Sequence, residues 1–320
     1  MKPKLQILIT LILVVNQVLS QDVNWLEYHT IEKALKEPEK VGYLILRDKE
    51  LKEFPEEILR FKYLRKLDLQ DNNIKSIPDE IAQLVFLEEL ILQDNQIESL
   101  PETVGGLEKL EKLFLRNNNL SSVPESFGNL SNLKTLFIGR NQIEILPPTF
   151  KNLKSLEILD LGNNPIRNVH SILNSLTSLL DLSISGEYLD PAIKLDALIN
   201  LKQFSASDMK GFPESIVGLK NLQFIYFYHC NFPNIPGEIG HLKSLKELTM
   251  YNCSIQELPF SFSELTQLKR VNLGRNQIKS IAKSFGECNS LKYLSLSSNL
   301  IDENEINALK EKCPDLRVTH

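Results

Sequence analysis

The sequence is short of what catalysis needs. Of its 320 residues, five are histidine and four are cysteine. His29, His170, His229, His241 and His320 accompany no nucleophile elbow, zinc motif or phosphate loop. The cysteine spacing brings no four ligands together, which excludes a zinc site and leaves no metal or cofactor to expect. Carboxylates are plentiful, and two of them about 5 to 9 Å apart could suggest glycoside hydrolysis. No constellation converges on such a pair, so Asp68 and Glu89 read as part of a solvated face and no enzyme is expected. Positive charge is also scarce. Lys and Arg total 36 against 41 Asp and Glu, a formal charge of −5, which argues against a general nucleic-acid binder. There is no low-complexity tail. The apolar run Leu5 to Val15 is interrupted by Asn16 and Gln17 and is shorter than the roughly 20 residues of a membrane span.

What is present is a period. From Leu64 to Asn95 the chain reads LRKLDLQDNNIKSIPDEIAQLVFLEELILQDN. Leu64, Leu67, Leu69, Asn72, Ile74, Ile77, Pro78, Ile81 and Leu84 set a pattern that restarts at Leu87, 23 residues on. The same register begins at Val41, Leu64, Leu87, Leu110, Leu133, Leu156, Leu179, Leu201, Leu222, Leu245, Leu268 and Leu291, giving twelve turns. These residues resemble the leucine-rich repeat, L-x-x-L-x-L-x-x-N/C-x-L. The tail L-P-x-x-I/F-x-x-L is similar to Ras-group and Shoc-type repeats, plant disease-resistance repeats and secreted bacterial repeat proteins. The resemblance covers residues 41–301. It implies an α/β fold: a right-handed solenoid with a parallel sheet on its concave face and short helical turns on its convex face.

The physics agrees with that pattern. Positions 4 and 6 of each repeat share one strand face and position 5 points to the other. One repeat cannot bury its own leucines, so stacking must create the core. Position 9 carries a ladder of Asn72, Asn95, Asn118, Asn141, Asn164, Cys230, Cys253, Asn276 and Asn299. There an amide can satisfy buried backbone groups. The first turn places Lys49 at this position. Turns seven and eight, residues 179–221, break the rule: Glu187 replaces Asn, and Phe212-Pro213 arrive two places early. This reads either as drift that a solenoid tolerates or as a local change of curvature.

The ends are read separately. Residues 1–20 read as a secretory signal peptide, with Lys2 and Lys4 before the apolar run and Val18 and Ser20 before the cleavage point. The protein is therefore expected to be secreted, periplasmic or at a cell surface, with no span in the mature chain. Residues 21–40 form an N-terminal cap. In it Thr30 caps a short helix bearing Ile31, Ala34 and Leu35, and Trp25, Leu26 and Tyr28 cover the first coil. Residues 302–320 form a C-terminal cap: a helix opened by Asp302 with Glu305 three residues on as a capping box, then a strand near Val318.

All four cysteines fit packing positions and read as small buried hydrophobes. Export would permit disulfides, and Cys230 and Cys253 lie on adjacent turns about 5 Å apart, so a bond between them stays open. Asn119, Asn129 and Asn252 begin glycosylation sequons.

Binding residues should lie at positions 3, 5, 7 and 8, which do not build the repeat. Two groups stand out. Ile91, Phe114 and Phe137 occupy position 5 of consecutive turns, flanked by Arg116 and Arg140. Phe224, Tyr226, Tyr228 and His229 share one strand, with Tyr251 beside them on the next turn. Aromatic side chains with Arg are the usual composition of interface hot spots, although cross-strand packing alone would also use aromatics. The resemblance implies a secreted, non-catalytic protein that binds a protein or peptide on its concave face. The alternatives are glycan or matrix adhesion, and an intracellular signalling scaffold if residues 1–20 are not a leader.

Overall fold

The computed structural model describes residues 25–187, 189–281, 284–285 and 290–320. The leader expected at residues 1–20, and Cys288, lie outside them. Among the described residues, fourteen parallel strands form one open sheet in chain order. They are β1 (Leu26–Tyr28), β2 (Val41–Ile45), β3 (Lys66–Asp68), β4 (Glu89–Ile91), β5 (Lys112–Phe114), β6 (Thr135–Phe137) and β7 (Ile158–Asp160). Then come β8 (Asp181–Ser185), β9 (Gln203–Ser207), β10 (Phe224–Tyr228), β11 (Glu247–Tyr251), β12 (Arg270–Asn272), β13 (Tyr293–Ser295) and β14 (Arg317–Thr319). The strands β2 to β13 belong to the twelve turns read from the sequence. Strand order equals chain order because each turn is one revolution of a solenoid, and the sheet does not close.

Each revolution repeats the same local events. The leucines at positions 4 and 6, such as Leu67 and Leu69, are fully buried. After the strand the backbone turns left-handed at position 8, with φ between 53° and 60° at Asp48, Asp71, Asp94, Asn117, Arg140, Asn163, Asp208, His229, Asn252, Arg275 and Ser298. Asp and Asn tolerate this region because their short side chains bond locally. The return segment reaches an extended proline such as Pro78 or Pro101, whose carbonyl accepts the N–H of the buried Ile81 or Val104 at 3.1 Å. A five-residue 3-10 turn forms there, so proline sits just before the turn, where no N–H is needed.

The ladder amides bridge turns. Asn118 Oδ1 accepts Ile97 N at 2.9 Å, and its Nδ2 donates to Leu92 O and Leu115 O, both at 3.0 Å. In turn eight, Met209 takes the ladder position and is buried against Gly186. A Cβ on Gly186 would lie 2.2 Å from Met209 Cγ and 2.8 Å from its Cα. The irregular turns seven and eight thus keep the strand register while replacing an amide by apolar packing.

The ends add two findings to the sequence reading. Helix α1 (Ile31–Ala34) is capped by Thr30, which accepts Lys33 N at 3.4 Å, and β1 extends the sheet by pairing with β2. Trp25 leans on Tyr63 at 5.7 Å between ring centroids, with Arg65 over its ring. Helix α2 (His170–Leu173) replaces the 3-10 turn of the sixth repeat. At the other end Asp302 caps helix α3 (Glu303–Lys312) by accepting Asn304 N at 2.7 Å. Glu305 does not close a capping box. Its carboxylate reaches the preceding turn and accepts Ser280 Oγ at 3.0 Å and Ile281 N at 2.8 Å, because those groups would otherwise face the cap unpaired. Cys313 is disulfide-bonded, not a free buried thiol. Cys230 and Cys253 are both free thiols.

Candidate binding surface

The solvent-facing side of the sheet is made of positions 3, 5 and 7, aligned strand by strand. Its charged residues are mostly paired within the sheet. Asp68 is fully buried and bound by Arg47 at 2.5 Å, while its other oxygen accepts Gln70 N at 3.1 Å. That overturns its reading as part of a solvated face: the long Arg47 side chain on the preceding turn folds over it. Glu89 is half-buried between Lys66 at 2.9 Å and Lys112 at 3.8 Å. Both carboxylates are held in ion pairs across neighbouring turns.

The first expected group is only partly exposed. Ile91 is 6% exposed, so it is covered and offers little to a partner. Phe114 and Phe137, paired across β5 and β6, meet edge to face with centroids 5.3 Å apart. Arg116 reaches two turns along to Asp160 at 3.7 Å. The path is open because Gly139 lies between them: a Cβ there would stand 2.7 Å from Asp160 Oδ2. Arg140 is exposed and holds left-handed backbone, φ 56°, where Asp or Asn stands in most turns.

The second group lies on β10 and β11. Ile225 and Phe227 are fully buried. The alternation therefore brings Phe224, Tyr226 and Tyr228 to the solvent face, and Tyr228 is 39% exposed. Tyr228 pairs in register with Tyr251, and Tyr226 with Thr249. Tyr251 lies over Gly274, beneath the Arg275 guanidinium, which is 5.6 Å from the ring centroid. His229 also holds left-handed backbone, φ 56°, and its Nδ1 bonds Asn252 Nδ2 at 2.8 Å. Its ring stands edge-on to Tyr251 at 6.3 Å. Burial, then the nearby Glu247 carboxylate, push the Tyr226 and Tyr228 hydroxyls above the usual phenol range, so both stay protonated donors near neutral pH. Beneath this row, the Cys253 thiol is pushed far up by its hydrogen bond with the Cys230 thiol and by burial.

Beside the tyrosines the sheet drops. Ser183 and Ser205 occupy position 5 on β8 and β9, and Ser185 and Ser207 occupy position 7. At about 4.8 Å per strand, Asp160 on β7 and Tyr226 on β10 stand roughly 14 Å apart across this floor. The sequence reading did not single out Asp181 or Gln203, which line it. Position 3 carries charge in many turns, so nothing in the period marks them. Asp181 accepts Gln203 Nε2 at 2.8 Å. Its carboxyl is held above the usual range, chiefly by burial and further by Asp160.

Among the described residues no three His, Cys, Asp or Glu side chains gather to hold a metal ion. No helix among them is long and apolar enough to cross a membrane. The surface presents rings, hydroxyls and one low, polar floor.

A solenoid of short parallel strands with an amide ladder and 3-10 turns defines a repeat-protein class. The chain belongs to the leucine-rich repeat proteins: models of a leucine-rich repeat region match residues 56–138 and 87–208, and a leucine rich repeat model matches 258–301. Among curated proteins none matches significantly. An internalin of Listeria monocytogenes is 22% identical over 87% of this chain and 80% of its own, with a TM-score of 0.72. A leucine-rich repeat protein of Leptospira interrogans is also 22% identical, over 92% of this chain and all of its own, at 0.56. The ectodomain of the Arabidopsis thaliana receptor kinase GASSHO1/SCHENGEN3 is 25% identical over 88% of this chain, at 0.62, and this chain spans 38% of it. Such folds are protein-binding scaffolds as a class.

Proposed function

We propose that this is a secreted, non-catalytic recognition protein that binds a protein or peptide segment on the concave sheet face, with Phe224, Tyr226, Tyr228, His229 and Tyr251 as the principal contacts. One observation carries the reading: three aromatic residues of β10 stand on the solvent side of the sheet next to a floor of four serines. Tyrosine gives apolar contact area with a hydrogen-bonding end at small entropic cost. Phe114, Phe137, Arg116 and Arg140 form a secondary surface further along, with Ile91 contributing packing. Two structural neighbours support a peptide or protein ligand by their own complexes: GASSHO1/SCHENGEN3 with Casparian Strip Integrity Factor 2, and PEPR1 with AtPEP1. The bonded Cys313 supports export, since disulfides persist in oxidising compartments.

The test is a Tyr226→Ser/Tyr228→Ser double variant, checked for folding by thermal melt and used beside the wild type in a pull-down from extracellular fractions. Loss of the captured partner is expected. Equal capture by a folded double variant would move the site to Phe114 and Phe137. Amino-terminal sequencing of the mature protein checks export, and a start at Met1 or Lys2 would remove that claim.

A further inference from the structure

Five carboxylates stand at positions 3 and 5 of the strands: Asp68, Glu89, Asp160, Asp181 and Glu247. Four have a cation. Asp68 has Arg47 at 2.5 Å, Glu89 has Lys66 at 2.9 Å, Asp160 has Arg116 at 3.7 Å, and Glu247 has Arg270 at 3.8 Å. Asp181 alone has none among the described residues; its one side-chain partner is the neutral Gln203 amide at 2.8 Å. Partial burial makes that costly, because a desolvated carboxylate is stabilised chiefly by an opposite charge. The like charge of Asp160 on the next strand adds to the cost.

Asp181 also stands at the serine floor. Ser183 and Ser205 give it no bulky neighbour at position 5, and β9 separates it from Phe224 and Tyr226. Gln203 fills position 3 between Asp181 and Phe224, so the open path runs over Ser205, between Ser183 and Tyr226, where two strand spacings of about 10 Å are wide enough for an extended side chain. The place therefore offers an unpaired anion on one side, aromatic faces on the other, and hydroxyls below. A cation is attracted both by the carboxylate and by the face of an aromatic ring.

We infer that the partner inserts a lysine or arginine side chain over the serine floor, its cation against Asp181 and its aliphatic stem over Ser205 along Tyr226. This rests on the proposed peptide-binding face and adds the chemistry of its central contact. Charge complementarity selects the occupant: a neutral or acidic side chain there would leave Asp181 desolvated without compensation.

The experiment is a phage-displayed library of random twelve-residue peptides selected on the purified full chain, with binders then made synthetically. Peptides that need Tyr226 and Tyr228 are expected to share one basic residue at a fixed position. Asp181→Asn should weaken them at least about tenfold, the range of a charged hydrogen bond. Replacing that basic residue by norleucine should weaken them equally on the wild type and add little on Asp181→Asn. Peptides that need the tyrosines but share no basic residue, or bind Asp181→Asn unchanged, overturn this inference and leave the binding face standing. Recovery of no peptide dependent on Tyr226 and Tyr228 overturns both. A thermal melt confirms that Asp181→Asn is folded.

Discussion

Two substitutions in the same ladder, Asn118→Ala and Asn164→Ala, should differ in cost, and the reason lies in how carbonyls are shared. From Leu69 to Ile138, each position-6 carbonyl receives one amide from its own turn and one from the next. Leu92 O takes Asn95 at 3.1 Å and Asn118 at 3.0 Å, and Leu115 O takes Asn118 and Asn141, both at 3.0 Å. Removing Asn118 therefore leaves each carbonyl one donor. Only the Ile97 N–H is orphaned. A buried unsatisfied group costs about 1 to 3 kcal/mol, and that is the expected loss. Asn164 ends the run. Its Nδ2 donates to Ile138 O at 2.9 Å and Leu161 O at 3.1 Å, and its Oδ1 accepts Ile143 N at 3.1 Å. Ile138 O keeps Asn141 at 2.9 Å. Leu161 O keeps no amide, because the next ladder residue is Glu187. Two groups are orphaned, so Asn164→Ala should cost about 2 to 6 kcal/mol, twice the loss at Asn118. Urea denaturation with matched slopes measures both. Equal costs would show that Leu161 O has another partner, in the small cavity lined by Leu161, Asn164, Ile184 and Leu189. Wild-type stability in Asn118→Ala would refute the role of the ladder outright.

Gly186→Ala should destabilise by about 1 to 3 kcal/mol through overpacking against Met209, and Gly186→Ala with Met209→Ala together should recover part of the loss, read by thermal melt. Arg140→Asn should stabilise by about 1 kcal/mol, since Asn tolerates the left-handed backbone that Arg140 holds; an unchanged or lower melting temperature would mean the Arg side chain compensates. Asp181→Asn should melt higher than wild type at pH 7. The raised pKa of Asp181 makes its protonated form the one that favours folding, so its own contribution to stability is fully present below the unfolded-state carboxyl value of about 4 and is lost as pH rises through the folded-state value. The gap between the two proteins should close towards pH 4, and a constant gap would assign it to something other than ionisation.

The solenoid was legible because one period of 23 residues dictates strand, ladder and proline in every turn. Tyr226 and Tyr228 could be assigned to the outer face from alternation alone, since Leu222, Ile225 and Phe227 fix the register. Side-chain reach could not be read this way. Asp68 is buried because Arg47, 21 residues earlier, folds across a turn, and Ile91 is covered between Asp68 and Phe114 on the adjacent strands. Arg116 finds Asp160 only because Gly139 leaves the gap, a coincidence of three turns with no local signature. Glu305 looked like a capping-box partner because spacing cannot show which N–H is nearer; in space it is Ile281. The left-handed position 8 did leave a trace, in the run Asp71, Asp94, Asn117 and Asn163. The value of Asp181 is visible only when every other strand carboxylate has been matched to its cation.

The ladder also has a mechanical meaning. Amides lace the turns together up to Asn164 and resume in full only at Asn276, with the weaker thiol donors of Cys230 and Cys253 between. At turns seven and eight the lacing is absent, and leucine packing with the strand bonds of β8 and β9 holds the two stretches together. In a quasi-one-dimensional chain, cooperativity passes only through neighbouring turns, so this seam is where partial opening costs least. The serine floor lies directly above it, with Asp181 inside the seam and Tyr226 on the first turn beyond it. A ligand gripping Asp181 and Tyr226 would fasten the seam from outside, and slower hydrogen exchange in β8 and β9 would be its signature.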